Sequence, residues 1–342
     1  MEVKKVGELV EGYRILSELG RGAASIIYLV QEPDTRQIWA LKHVARETPK
    51  DQRFLDQAEM EYQVASALDH PRIRKITRLI KKKPSLFSMT VTELYLVMEM
   101  LDGSSLEREP PETFEQAAWI FEQVALALAH MHDRGFVHAD MKPNNIIVDP
   151  EGNAKIIDLG QSCKIGTVKE RIQGTPDYIA PEQVHRREIT PKTDVYNLGA
   201  TMYYLLTRRY VPTALAKENS LVGSLEDHLI ERPKRPIEIN PRVPELFDKL
   251  VMDCVEIDPD KRPTMTEVAQ RLNLIRGKLA AEAELRRSGQ RLSPPSPDDD
   301  ASDAAKKNGA QGHARAKESN GRSRAGMAGT EEDDPTGVGS LA

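Results

Sequence analysis

Cysteine is almost missing from this chain of 342 residues: Cys163 and Cys254 are the only two. They stand far apart and lack the paired spacing of a metal site, so a disulfide scaffold is excluded and a reduced, cytoplasmic protein is expected. No run approaches the roughly 18 apolar residues that a spanning helix needs, so no membrane span is expected. The opening residues, Met1 to Lys5, contain no apolar core of the secretory type, and no signal peptide is expected there. Charge of one sign is not in excess either. A net charge of −5 gives no reason to expect a nucleic-acid partner. Internal repeats are absent. What remains is 39% apolar and 30% charged, an ordinary globular balance, in a chain long enough for two lobes and an appendage.

The richest stretch runs from His138 to Gly160. It reads His138-Ala139-Asp140-Met141-Lys142-Pro143-Asn144-Asn145, then the apolar Ile146-Ile147-Val148, a turn at Asp149-Pro150-Glu151-Gly152, and Lys155-Ile156-Ile157-Asp158-Leu159-Gly160. The turn predicts a hairpin, with polar groups at the ends of its two short apolar arms. Asp140 can accept the proton of an attacking hydroxyl. Asn145 and Asp158 offer hard oxygen ligands of the kind Mg²⁺ takes beside substrate phosphates. The order HxDxKPxN, with Asp-Leu-Gly beginning eighteen residues after Asp140, resembles the catalytic core of the eukaryotic-type (Hanks-type) serine/threonine protein kinases.

Upstream, Tyr13 to Leu16 and Ile26 to Val30 flank Gly20-Arg21-Gly22-Ala23-Ala24-Ser25. Glycines let backbone amides approach phosphates, and a strand-loop-strand setting suits a kinase loop, whereas a Rossmann or Walker loop leads into a helix. Ser25 stands where the family has a third glycine, a departure that a small hydroxyl residue tolerates. Ala40-Leu41-Lys42 begins twenty residues after Gly20 and matches the family's phosphate-binding lysine. A charged amphipathic helix follows, from about Asp51 to Leu68. Glu59 and Glu61 both compete as partner of Lys42, and the family pattern selects Glu61, nine residues before His70-Pro71. Arg74 to Ile80 and Leu94 to Met98 read as strands, joined by the basic Lys81-Lys82-Lys83-Pro84 as a solvated tip. The resemblance then implies a nucleotide pocket lined by Ile27 and Ala40, with Met98 as gatekeeper and backbone groups of Glu99 and Leu101 at the adenine.

In the second half, Thr113 to Arg134 predicts a helix with a core-facing stripe, ended by Gly135. His130 and His132, two apart, face different ways on it and read as surface or capping histidines. Gly174-Thr175-Pro176-Asp177-Tyr178-Ile179-Ala180-Pro181-Glu182 closely matches the peptide platform of Ser/Thr kinases. Asp194-Val195-Tyr196-Asn197-Leu198-Gly199 resembles the start of the family's central helix, where Asp194 would hold the catalytic loop. Arg262, in Asp258-Pro259-Asp260-Lys261-Arg262-Pro263-Thr264, is the expected partner of Glu182. A last helix reaches about Arg287. Residues 288–342 contain no aromatic and few large aliphatic residues, so that tail is expected to be disordered.

The resemblance implies an α+β, bilobal protein-kinase fold. An N-terminal leader covers 1–12, the ATP-binding N-lobe with its hinge 13–101, the catalytic C-lobe 102–287 and the tail 288–342. It also implies ATP as phosphoryl donor, Mg²⁺ (or Mn²⁺) as cofactor and a protein substrate with a Ser or Thr acceptor. Gly20, Arg21, Gly22, Ala23, Ala24 and Ser25 would cover the phosphates, Lys42 steadied by Glu61 would fix them, and Asn145 and Asp158 would hold the metal. Asp140 would act as base and Lys142 would contact the γ-phosphate. Lys142 with Thr175 points to Ser/Thr substrates. Ala139 replaces the arginine that usually receives an activation-loop phosphate, so switching by phosphorylation is not expected. Leu159 is expected to pack beneath the site as the usual Phe does. Several motifs are worded as in bacterial members. Two readings of other classes compete: a pseudokinase scaffold, opposed by the retained Lys42, Asp140 and Asp158, and a small-molecule phosphotransferase, opposed by the peptide platform.

Overall fold

Residues 13–45 alternate between apolar and polar, the period of strands that bury one face. In the computed structural model, which describes residues 3–22, 24–84, 90–215 and 226–288, they form the middle of an antiparallel sheet. Its strands are β1 (Leu9–Val10), β2 (Tyr13–Arg21), β3 (Ser25–Gln31) and β4 (Ile38–Ala45), followed after helix α1 (Gln52–Ser66) by β5 (Ile76–Lys82) and β6 (Glu93–Glu99). The spatial order is β1-β2-β3-β4-β6-β5. Val10 is buried and pairs with Tyr13, so the folded part begins inside the expected leader and not at residue 13. One face of the sheet closes around Ile15, Tyr28, Val30, Leu41 and Tyr95. The other buries Ala40, Val44, Leu96 and Met98 against Leu55, Ala58 and Val64 of α1, so helix and sheet share one core.

The second lobe is mainly helical. After β7 (Ser104–Ser105) come α2 (Phe114–Asp133), β8 (Phe136–Val137), β9 (Ile146–Val148), β10 (Ala154–Ile156), β11 (Cys163–Lys164) and β12 (Thr167–Val168). Then follow α3 (Pro181–Val184), β13 (Glu188–Ile189), α4 (Pro191–Thr207), α5 (Pro236–Ile239), α6 (Glu245–Cys254) and α7 (Met265–Arg287). Thr113 caps α2 by accepting from the Gln116 N–H at 3.1 Å, and Gly135 leaves the helix at φ +84°, where a side chain would be strained. Helix α4 is buried along most of its length, against α2, α6 and the catalytic loop, and its buried polar residues Asp194, Asn197 and Thr201 are hydrogen-bonded to the loops around it. The Asp149–Gly152 turn does fold a hairpin: Ile146 faces Ile156 and Val148 faces Ala154.

The basic tip expected at Lys81–Pro84 is paired as well as solvated. Lys81 Nζ lies 2.9 Å from Glu59, and Lys82 Nζ lies 3.7 Å from Glu11. Ser288 closes α7, and the tail beyond it, like Ala23, lies outside the described residues. Among the described residues, no helix is long and apolar enough to cross a membrane.

Candidate active site

Lys42 sits in the middle of β4, opposite Ile27, and its ammonium reaches Glu61 on α1 at 2.6 Å. That settles the competition between the two glutamates: Glu59 belongs to Lys81 on the sheet edge. Asp158 Oδ1 stands 3.8 Å from the same ammonium. Burial works to lower the Lys42 pKa, but Glu61 and Asp158 outweigh it and leave the group raised and firmly charged. Burial works to raise the Asp158 carboxyl, and Lys42 foremost leaves it below the usual carboxylate range. Leu159 is buried in the main core directly after it.

Below this pair lies the catalytic loop. Asp140 Oδ1 accepts from the Thr175 backbone N–H at 2.9 Å and from the Thr175 hydroxyl at 2.8 Å. Asp140 Oδ2 accepts from Lys142 Nζ at 2.8 Å, and Lys142 also donates to the Thr175 hydroxyl at 2.8 Å. The three side chains form a closed ring in which the carboxylate can only accept. Asn145 Nδ2 donates to the Asp140 carbonyl at 2.8 Å, which leaves the amide oxygen of Asn145 as the donor for a cation. The Asn145 carbonyl accepts from the Ile157 N–H at 2.9 Å, tying that residue to the stretch between the end of β10 and Asp158. Among the described residues, no group of three His, Cys, Asp or Glu side chains could cage a metal. One carboxylate and one amide oxygen, completed by phosphates, are a donor set that fits Mg²⁺ or Mn²⁺.

A cavity of about 240 Å³ lies between these groups and the glycine loop, lined by Gly22, Ala24, Ser25, Lys42, Asp140 and Asp158. Gly22 is closely packed: a Cβ there would come within 2.7 Å of the Ser25 hydroxyl, which would have to turn away, and the Gly22 N–H donates to the Ser25 carbonyl at 2.8 Å. Gly20 pairs with Ile27 across the loop, and Arg21 is tied to Glu18 at 2.6 Å on the outer surface. Deeper in, Ala40 pairs with Met98, and both are buried. Glu99 and Leu101 follow at the hinge, and the Glu99 carboxylate is held by Lys155.

Two features escaped the sequence, the setting of Arg74 and that of His132. Arg74, expected inside a strand, lies before β5 begins at Ile76, and its Nε donates to the Glu99 carbonyl at 3.0 Å. Burial lowers its pKa, and Glu61, Glu99 and Asp158 are the charges that oppose the fall, so a second cation stands near the Lys42 pair. His132, expected as a surface or capping residue, donates from Nε2 to Asp194 Oδ2 at 2.8 Å. Asp194 is fully buried and also accepts from the His138 N–H at 2.9 Å and the Ala139 N–H at 2.8 Å. Burial works to raise this carboxyl, and His132 foremost leaves it lowered. Cys163 is buried and burial pushes its thiol up, which makes it an inert packing residue.

Glu182, at the end of the peptide platform, meets Arg262 in a bidentate pair of 2.7 and 3.0 Å that is almost fully buried. Thr175 and Glu182 thus bound a segment anchored at one end to Asp140 and at the other to the lobe core.

This arrangement coincides with a match of residues 13–272 to the protein kinase domain. The chain belongs to the protein kinase family. It is 30% identical over 266 residues to the serine/threonine-protein kinase PrkC of Bacillus subtilis (strain 168), covering 75% of this chain and 39% of that protein. It is 32% identical over 226 residues to the putative serine/threonine-protein kinase R436 of Acanthamoeba polyphaga mimivirus, covering 61% and 76%. To the serine/threonine-protein kinase PknD of Chlamydia pneumoniae it is 27% identical over 291 residues, covering 76% and 31%. The chain thus spans about a third to a half of the length of the bacterial relatives it matches. The relatives are named as Ser/Thr kinases, and the Hanks-type family is the one expected from the motifs.

Proposed function

We propose that this kinase domain transfers the γ-phosphoryl group of Mg-ATP to Ser or Thr hydroxyls of a protein. One observation carries this reading: the Lys42–Glu61 pair is closed at 2.6 Å, with Asp158 beside it and the Asp140–Lys142–Thr175 ring opposite. Phosphoryl transfer asks chiefly for positioning and for neutralised charge, and each group here has one of those tasks. Lys42, fixed by Glu61, would hold the α- and β-phosphates. Asp158 and the Asn145 amide oxygen would hold the divalent ion, which neutralises charge on the transferred group. Asp140 would orient the acceptor hydroxyl and take its proton late, while Lys142 steadies the γ-phosphate. In this chain Thr175 already places a hydroxyl 2.8 Å from the Asp140 carboxylate, the position in which an incoming Ser or Thr would be activated.

The pseudokinase alternative has nothing in its favour, because Lys42, Asp140, Asn145 and Asp158 are all present and oriented. Two free, buried cysteines suit a reducing compartment, and we place the domain in the cytoplasm. The test is incorporation from radiolabelled ATP with Mg²⁺, and with Mn²⁺, into a generic basic protein, wild type beside Asp140→Asn. Label in the wild type and a loss of at least about 100-fold in the variant support the assignment. Equal incorporation by both proteins would refute it.

A further inference from the structure

Ala139 adopts φ +61°, a left-handed conformation that disfavours any residue with a Cβ by about 1 to 2 kcal/mol. Its methyl points into an apolar nest of Val137, Cys163 and Ile189, so the place of a charged side chain is filled by packing. Two buried groups hold its peptide units. Asp194 accepts from its N–H, and the Gln183 side chain donates to its carbonyl at 2.8 Å.

Gln183 does more than this. The same Nε2 donates to the Gln173 carbonyl at 3.2 Å, on the segment that returns toward Thr175. Its Oε1 accepts from the Ala180 N–H at 3.0 Å and from Asn197 Nδ2 at 2.9 Å. Asn197 also donates to the Tyr178 carbonyl at 2.8 Å, and its own oxygen finds no partner among the described residues. A buried amide is thus spent on two donations. Gly174 completes the fit: it lies at φ +131°, and a Cβ there would sit 3.1 Å from Gln183 Nε2. One side chain therefore joins the catalytic loop, the activation segment, the start of α3 and the central helix α4.

We propose that Gln183 is a positioning residue that holds Asp140 and the 161–175 segment in catalytic register with no phosphate on that segment. The proposal rests on the chain being an active kinase. The segment has other supports that involve no phosphate: β11 pairs with β8, β12 pairs with β13, and Lys169 donates to the Gln161 carbonyl at 2.5 Å. None of these fixes the Ala139 carbonyl, which adjoins the base. Gln183 does.

The experiment compares wild type, Gln183→Leu and Asn197→Ser, each treated with phosphatase and shown to be phosphate-free by mass. Turnover, KM for ATP, nucleotide affinity and hydrogen exchange over residues 161–178 are measured. The wild type should keep its turnover within twofold after phosphatase. Gln183→Leu should lose at least tenfold in kcat with KM for ATP within twofold, and exchange in 161–178 should rise while α4 and α6 stay protected. Asn197→Ser removes the donor to Gln183 together with the bond to the Tyr178 carbonyl while leaving Gln183 itself in place, and it should show the same pattern at three- to tenfold even if Gln183→Leu does not fold. Loss of wild-type activity on phosphatase treatment would overturn the proposal, as would unchanged kcat in both variants or an equal fall in nucleotide affinity and kcat. A wild type silent before any treatment would overturn the kinase assignment instead. Exchange needs no turnover, and unchanged exchange in Asn197→Ser would then overturn the clamp.

Discussion

Arg262 offers the sharpest test of how the peptide platform is held. Its guanidinium has five N–H donors, and all five are used. Nη1 donates to Glu182 Oε1 at 2.7 Å and to the Lys192 carbonyl at 2.9 Å. Nη2 donates to Glu182 Oε2 at 3.0 Å and to the Ile257 carbonyl at 3.0 Å, and Nε donates to the Glu256 carbonyl at 2.6 Å. The group also lies 4.9 Å from the Tyr196 ring centroid. Arg262→Met keeps most of the volume but strands the Glu182 carboxylate in the core. Breaking a buried pair in this way costs about 3 to 5 kcal/mol, a large share of the 5 to 15 kcal/mol that holds a domain together. The urea midpoint should fall accordingly, and the melting temperature should drop by about 10 °C. Glu182→Leu combined with Arg262→Met removes the stranded charge and should recover more than half of the loss. A single-variant loss below about 1 kcal/mol, or a double variant as unstable as the two singles summed, would refute the account, since uncoupled residues add.

Two further outcomes follow from groups in the first lobe. His43 is buried, stacks on Tyr95 at 4.4 Å and contacts Glu93 at 2.8 Å. Burial lowers its pKa below the ordinary histidine value, with Glu93 opposing and Lys82 assisting. The unfolded chain therefore binds the proton more readily than the folded one, so stability is full above about pH 6.5 and falls as the pH drops through that value. The expected slope is at most about 1.4 kcal/mol per pH unit, read from urea midpoints between pH 7.5 and 5.5, and His43→Gln should flatten it. An unchanged slope in the variant would remove His43 as its source. Arg74→Val frees the Glu99 carbonyl from a charged donor, and KM for ATP should fall three- to tenfold, about the worth of one such bond. A rise in KM would mean that Arg74 helps to hold the nucleotide.

The sequence carried the placement of the candidate site because motif spacing survives folding. Lys42, Glu61, Asp140, Asn145, Asp158, Glu182 and Arg262 each sit at an element end or in a fixed register, so their order along the chain predicts their meeting in space. Arg74 did not follow that logic. It precedes a strand with a register shift between Ile76 and Arg78, and periodicity cannot read side-chain direction across such an irregularity. His132 was hidden for a different reason: its partner Asp194 lies 62 residues away, and helical spacing reports only which face a residue takes. Strands of two residues such as β8, β11 and β12 are too short to show any period. Gln183 stood beside Glu182 and drew no notice, because its four partners are backbone groups and an amide that no local pattern brings together.

The two non-glycine residues at φ +61° nearest the candidate site are Ala139 and Asp158, one beside Asp140 and the other beside Lys42. A backbone held in that region persists only where its surroundings over-determine it. For Asp158 the surroundings are Lys42 and the buried Leu159 that follows. For Ala139 they are Asp194 and Gln183, both rooted in or against α4. Catalytic geometry in the first case thus depends on the closed Lys42–Glu61 pair, and in the second on the core of the second lobe. A regulator acting through α1 would move the first without touching the second. A change at Gln183 would do the reverse, so the two supports can be separated by whether nucleotide affinity or turnover responds.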